Sequence, residues 1–193
     1  MVEVYDDFIS TEYFDQLQNF VTSPYQTWYY QNNIDSNNLL NQGLGKHGFN
    51  FWVVNSPNNF TDNYVSGMLN TLLMEMKKVT GCKNILRSRL DMTLHKHGDT
   101  KCSPHVDNNH PHISTIFYFN NSDGNTVIYN ENFYGGDDVD SSRMIQENGA
   151  NLTIRKEIEP RENRLVVFDG LHIHNGHFPS KHNTRIILNS NFN

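Results

Sequence analysis

The chain has 193 residues, 19% of them charged, and a net charge of −6 at pH 7. That length allows one domain with a proper core, and mild acidity without a basic block argues against a surface for nucleic-acid phosphates. No apolar run reaches the roughly 18 residues of a membrane span, and the start MVEVYDDFIS lacks the basic beginning and apolar core of a secretory leader. Cys82 and Cys102 form neither a metal-like nor a disulfide-like pattern, which suits a reducing, cytoplasmic setting. The 28 Asn favour loops and turns. With the small size, they are compatible with a virus-encoded protein acting in host cytoplasm.

In chain order, Val2, Val4 and Phe8 suggest a short strand, and Ser10 can cap a helix whose apolar face is Phe14, Leu17 and Val21. Residues 23–60 read as loops with short strands near 28–30 and 49–54. Thr61 then caps an amphipathic helix with the stripe Val65, Met68, Leu69, Leu72, Leu73 and Met76, closed by Lys77, Lys78 and Gly81. From residue 85 the pattern changes to strands: 86–94, 113–119, 126–129, 152–158, 164–168 and 185–188. Turn clusters such as Asn120-Asn121-Ser122-Asp123-Gly124 separate them. Residues 131–150 read as a polar surface insertion. In that insertion Asp137, Asp138 and Asp140 fit a solvated loop better than a calcium loop, because no Gly-centred turn with a terminal Glu follows. Short strands without intervening helices predict a mainly β sandwich or barrel. The two N-terminal helices would pack on its outside. One domain spans 1–193, with 1–85 as support and 86–193 as the core.

The chemistry concentrates in His105-Val106-Asp107. On an extended strand alternate side chains share a face, so one imidazole and one carboxylate point the same way. Two His and one carboxylate make the facial triad of non-haem iron(II). His174 follows the strand ending at Phe168 and the Asp169-Gly170 turn, but His172, His177 and His182 compete with it as the third ligand. His110 and His112 read as residues of the cavity mouth or of the solvent face. Arg185 lies 11 residues beyond His174 in an apolar strand. A guanidinium in such a run requires a buried anion, and it holds a carboxylate through two parallel hydrogen bonds.

At SPHVDNN, STIFYFNNSDGNTVIY, PRENRLVVFDGLHIHNGH and NTRIILNSNF the sequence resembles the 2-oxoglutarate- and iron(II)-dependent dioxygenases, in their prolyl 4-hydroxylase-like branch. The resemblance covers roughly residues 86–193. It implies a double-stranded β-helix (jelly roll) with flanking N-terminal helices, and it selects His174 over its neighbours. His105, Asp107 and His174 would bind Fe(II), and Arg185 would grip the distal carboxylate of 2-oxoglutarate. Thr126 would touch that co-substrate, and Asn189 or Asn191 could reach the pocket. The Tyr that often binds 2-oxoglutarate is replaced at its nearest match by His95. The implied reaction takes molecular oxygen and a peptide or small-molecule substrate, releases succinate and CO2, and uses ascorbate as an accessory reductant. Residues 31–48 and 131–150 would cover the site and set specificity. Two other classes share the barrel: a cupin-like metalloenzyme without 2-oxoglutarate, for which Arg185 would have no use, and a non-catalytic binding module, which would hold no metal.

Overall fold

Alternation along the strands sorts this chain into an apolar outer layer and an inner face that combines an apolar cluster with the polar residues of a cavity. The computed structural model describes residues 1–34, 46–61, 64–98, 100–133, 145 and 151–193. In order, the elements are β1 (Val2–Tyr5), α1 (Thr11–Val21), β2 (Tyr29–Gln31), β3 (Gly48–Ser56), β4 (Asn59–Phe60), α2 (Tyr64–Thr80) and β5 (Ile85–Leu94). They continue with β6 (Ile113–Tyr118), β7 (Thr126–Asn132), β8 (Ile154–Ile158), β9 (Arg164–Asp169), β10 (His172–Gly176) and β11 (Thr184–Phe192). One sheet has the order β1-β9-β6-β11-β5-β3-β2, with β4 on β3, and a smaller sheet has the order β10-β7-β8. The strand pairs are antiparallel. The result is the expected double-stranded β-helix with two helices.

The helices form where the apolar spacing puts them. The Ser10 hydroxyl accepts from the Tyr13 amide and starts α1, which buries Phe14, Leu17 and Val21. α2 buries Val65, Leu69, Leu72, Leu73 and Met76, and Gly81 ends it at a φ of +67°. The Thr61 hydroxyl donates to the Trp52 carbonyl at 2.9 Å and meets the Ser66 hydroxyl at 2.5 Å, which ties the start of α2 to β3. Both helices lie on the outward residues of the large sheet, including Leu90, Phe117, Phe119, Leu165, Val167, Leu188 and Phe192. The inward residues Ile116, Tyr118, Val166, Phe168 and Ile187 meet Ile128 and Ile158 of the small sheet.

Three strands run clearly longer than the sequence suggested, among them β7, which reaches Asn132. β3 has nine residues, because Phe49, Phe51, Trp52, Val53 and Val54 are apolar on both faces and hide its alternation. β11 continues past Leu188 to Phe192, because Asn189 and Asn191 are polar only on the inward face. β1 to β4 extend the same sheet as the later strands. Within the loops expected over the site, residues 35–45, 134–144 and 146–150, including Asp137, Asp138 and Asp140, lie outside the described residues.

The turn between β6 and β7 is anchored to the loop before β11 through Asp123. Its carboxylate accepts from the Ser180 hydroxyl at 2.6 Å, the Lys181 amide at 3.0 Å and the His182 amide at 3.2 Å. Burial alone would raise its pKa, but the bonds from Ser180, His182 and the loop amides outweigh it and hold the carboxyl well below its ordinary range.

Two outcomes follow from these contacts. Phe117 is fully buried and packs edge-on against Phe14 and Phe119, with centroids 6.2 and 5.1 Å away. Phe117→Ala should therefore lower the unfolding free energy by about 3–5 kcal/mol in a denaturant titration. Asp123 has a folded pKa below its unfolded value of about 3.9, so its contribution is complete above that value and disappears as the pH falls toward the folded pKa. The stability gap between the native chain and Asp123→Asn should be widest near pH 6 and narrow on acidification through about pH 4 to 2.

Candidate metal and co-substrate site

Residues 101–112 do not form the regular strand expected for His105 and Asp107. Pro104 and Pro111 carry no amide hydrogen, and the segment pairs with β10 and the residue after it through isolated bridges, Lys101 with His177 and His105 with His174. At the second bridge the two histidine backbones exchange hydrogen bonds of 2.9 Å in both directions. Their rings consequently lie side by side, with centroids 4.7 Å apart. Each Nδ1 faces a carbonyl two residues back, His105 that of Ser103 at 3.1 Å and His174 that of His172 at 2.9 Å. A carbonyl only accepts, so both Nδ1 atoms carry the proton and both Nε2 atoms keep a lone pair.

The two Nε2 atoms converge on Asp107, at 3.9 Å from Oδ1 for His105 and 3.8 Å from Oδ2 for His174. All three donor atoms lie within 4.8 Å of one another. The Asp107 side chain is only 5% exposed. Its Oδ1 accepts from the Arg87 guanidinium and, at 3.4 Å, from Asn189, while Oδ2 accepts from the Asn191 amide at 3.1 Å. Burial opposes its ionisation, but Arg87, the two imidazoles and Asn191 outweigh that effect, and the pKa falls well below the carboxylate range. His174 moves the other way: burial, then the neighbouring His105, lowers its pKa to about 4. An ionised carboxylate beside two imidazoles is the donor set that suits iron(II).

Arg185 lies in the same cavity, of about 280 Å³, as His105, Asp107 and His174. It is 4% exposed, its terminal nitrogen donates to the Thr126 hydroxyl at 2.8 Å, and its guanidinium lies 5.6 Å from the centre of the Tyr118 ring. The Tyr118 hydroxyl joins the group at 2.7 Å from Thr126. Among the described residues no carboxylate pairs with Arg185, and its Nε has no partner. Gly176 leaves the space beside it, since a Cβ there would come 3.4 Å from the guanidinium. A buried cation without an anion fits the far carboxylate of a dicarboxylic co-substrate.

The other anticipated residues separate clearly. His95 is exposed just past β5, stacks edge-on against His97 at 4.5 Å, and does not line the cavity. Asn191 turns to Asp107, Ser114 and Arg87 instead of toward the co-substrate end. His112 is neither at the mouth nor in solvent: it is buried beneath Gly170, and its Nε2 accepts from the Ser114 hydroxyl at 3.1 Å. His110 is exposed. His182 pairs with Asp123, His177 bridges to Lys101, and His172 is buried behind His174. Sequence reasoning missed Arg87, Ser114 and Tyr118. The available signal for Arg87 was charge at every second position, Arg87, Arg89 and Asp91, along one strand.

The model of the 2OG-Fe(II) oxygenase superfamily matches residues 92–193. The chain belongs to that superfamily. Solved structures share its fold across 99% of its length. An oxidoreductase of the 2OG-Fe(II) oxygenase family from Burkholderia pseudomallei is 13% identical, with a TM-score of 0.61 and 84% of that chain covered. A Pseudomonas putida prolyl-4-hydroxylase is 11% identical, with a TM-score of 0.59 and 91% covered. The epimerase SnoN, in complex with Fe3+, alpha ketoglutarate and nogalamycin RO, is 8% identical, with a TM-score of 0.67 and 78% covered. No curated protein matches by sequence. This oxygenase thus works with iron(II), 2-oxoglutarate and oxygen. Among its described residues no helix is long and apolar enough to cross a membrane.

Arg87 offsets the charge of a carboxylate almost wholly removed from water. Replacing it with Met should lower the stability of the metal-free oxygenase by about 3 kcal/mol. Added Mn(II) should restore part of that loss in thermal unfolding, because the ion takes over as counter-charge.

Proposed function

We propose that this oxygenase is a hydroxylase of the prolyl 4-hydroxylase-like type, acting on a peptide or small molecule. In this reading Nε2 of His105, Nε2 of His174 and the Asp107 carboxylate hold iron. Arg185, with Thr126 and Tyr118, holds the distal carboxylate of 2-oxoglutarate. The observation that carries the reading is a buried, anion-free guanidinium sharing one cavity with three converging ligand atoms. Residues 1–193 act as one domain, and both cysteines being free suits a reducing cytoplasm.

Iron bound at this triad supplies the oxygen chemistry, in which the co-substrate leaves as succinate and CO2 and a substrate C–H bond is oxidised. The protein's part is positional. The Nδ1 protons held by carbonyls keep both rings aimed, the paired Asp107 stays ionised, and the apolar walls Ile116, Val106 and Ile187 exclude water around the reacting centre.

The test measures 2-oxoglutarate conversion to succinate with Fe(II) and ascorbate, alongside metal binding. The native chain should turn over co-substrate. His105→Ala should lose the metal while His177→Ala retains it. Arg185→Leu should retain the metal and raise the KM for 2-oxoglutarate on the order of 100-fold, the worth of a lost bond to a charged group. Normal metal binding by both histidine variants would defeat the ligand assignment.

A further inference from the structure

One charged pair in the cavity has no part in the chemistry above. β5 points Arg87, Arg89, Asp91 and Thr93 into the cavity at every second position. Arg87 is committed to Asp107 and Asn191. Arg89 is held differently. Its Nε lies 2.7 Å from the Asp91 carboxylate, an ion pair without hydrogen-bond alignment. Its guanidinium lies 5.2 Å from the centre of the Trp52 ring, the residue opposite it on β3. Among the described residues its two terminal amino groups have no hydrogen-bond partner. Trp52 and Asp91 therefore fix the guanidinium while leaving its donor edge unused, the arrangement by which an arginine takes a carboxylate through two parallel bonds.

Two further features point the same way. Asn189 is paired in register with Arg89, donates to Asp107 at 3.4 Å and keeps a buried Oδ1 without a partner. That acceptor, between Arg89 and the metal ligand, calls for an N–H or O–H. The charges also leave a remainder. The cavity carries three arginines, at 87, 89 and 185, against two carboxylates, at 91 and 107. A divalent ion and a doubly charged co-substrate cancel each other, so one positive charge remains for a singly charged anion.

We propose that Arg89 anchors a carboxylate of the primary substrate and that Asn189 accepts from an N–H or O–H beside it, so that the enzyme oxidises an amino-acid or hydroxy-acid unit. The inference rests on the oxygenase site proposed above. Alternate residues of a strand lie about 7 Å apart, and Arg87, two residues away, touches the metal ligand. The oxidised carbon is therefore within a short chain of the acid group. The carboxylate is either a free terminus or an acidic side chain.

The experiment uses the full chain loaded with Fe(II) and 2-oxoglutarate and reads succinate release above the substrate-free background. Matched probes differ only in charge: N-acetyl-L-amino acids against their primary amides, and end-blocked tripeptides with central Asp or Glu against Asn or Gln. In at least one series the acids should stimulate turnover at least 10-fold more than their amides, and the responding series tells terminus from side chain. Arg89→Leu should raise the KM for the stimulating acid at least 10-fold with a smaller effect on kcat, and Arg89→Lys should recover part of the loss. Equal stimulation by amides, no stimulation by either series, or an unchanged acid KM in Arg89→Leu would overturn the proposal. The acid–amide comparison in the native chain decides the matter even where Arg89→Leu does not fold. Succinate release by the native chain separates the two claims: its absence both without probe and with every probe defeats the oxygenase site, and its presence with no acid preference defeats only the role of Arg89.

Discussion

A carboxylate as deeply placed as Asp107 has to be kept ionised and aimed, and much of the interior answers that demand. An isolated charge in such surroundings would take up a proton. Arg87 from β5 and Asn189 and Asn191 from β11 prevent this. Arg87 and Asn191 are register partners on adjacent antiparallel strands. The charge state of the centre is therefore fixed by a strand pairing. A slip of one residue of β11 along β5 would turn Asn189 and Asn191 toward the helices and present Leu188 to the cavity.

The same inward faces carry the rest of the site. Arg185 and Asn189 follow the period of β11, Tyr118 that of β6, and Arg89 and Asp91 that of β5. Their outward neighbours Ile186, Leu188, Phe117, Phe119 and Leu90 form the floor under α1 and α2. One alternation supplies both stability and chemistry, so the polar residues inside are held by a sheet whose reverse face is a close-packed apolar layer. The site is thus built on strands, where backbone fluctuation is small, and only His105 and Asp107 come from an irregular segment.

What could be read from the sequence was what local spacing expresses. The helical stripes of α1 and α2, the strand runs after residue 85, the His-x-Asp pair and a lone Arg in an apolar run all announce themselves within a few residues. What could not be read depends on register. Arg87 becomes a partner of Asp107 only when β5 lies beside β11. Tyr118 becomes polar in function only when β7 brings Thr126 to its hydroxyl. Residue spacing also misled where the chain leaves regular structure. His95 stands at the matching position before the His-x-Asp pair, but β5 ends at Leu94, and the ring swings out onto His97. His105 and Asp107 were expected on a strand. They share a side of the chain because a single bridge to His174 holds them there, and the two prolines nearby keep that segment out of any ladder.

With ten histidines in the chain, what sets His105 and His174 apart is which ring nitrogen is left over. His105, His112 and His174 all direct Nδ1 to the carbonyl two residues back, at 3.1, 2.7 and 2.9 Å. The local geometry is the same in each, and it fixes the same tautomer. The difference lies at Nε2. In His112 that atom is occupied by the Ser114 hydroxyl, which itself accepts from Asn191 at 2.9 Å, so the ring supports Asp107 from behind. In His105 and His174 the atom faces Asp107, and among the described residues no donor bonds to it. Burial then keeps the His174 ring neutral at any pH above about 4. The lone pairs are ready before an ion arrives, because the protons have already been assigned to the backbone.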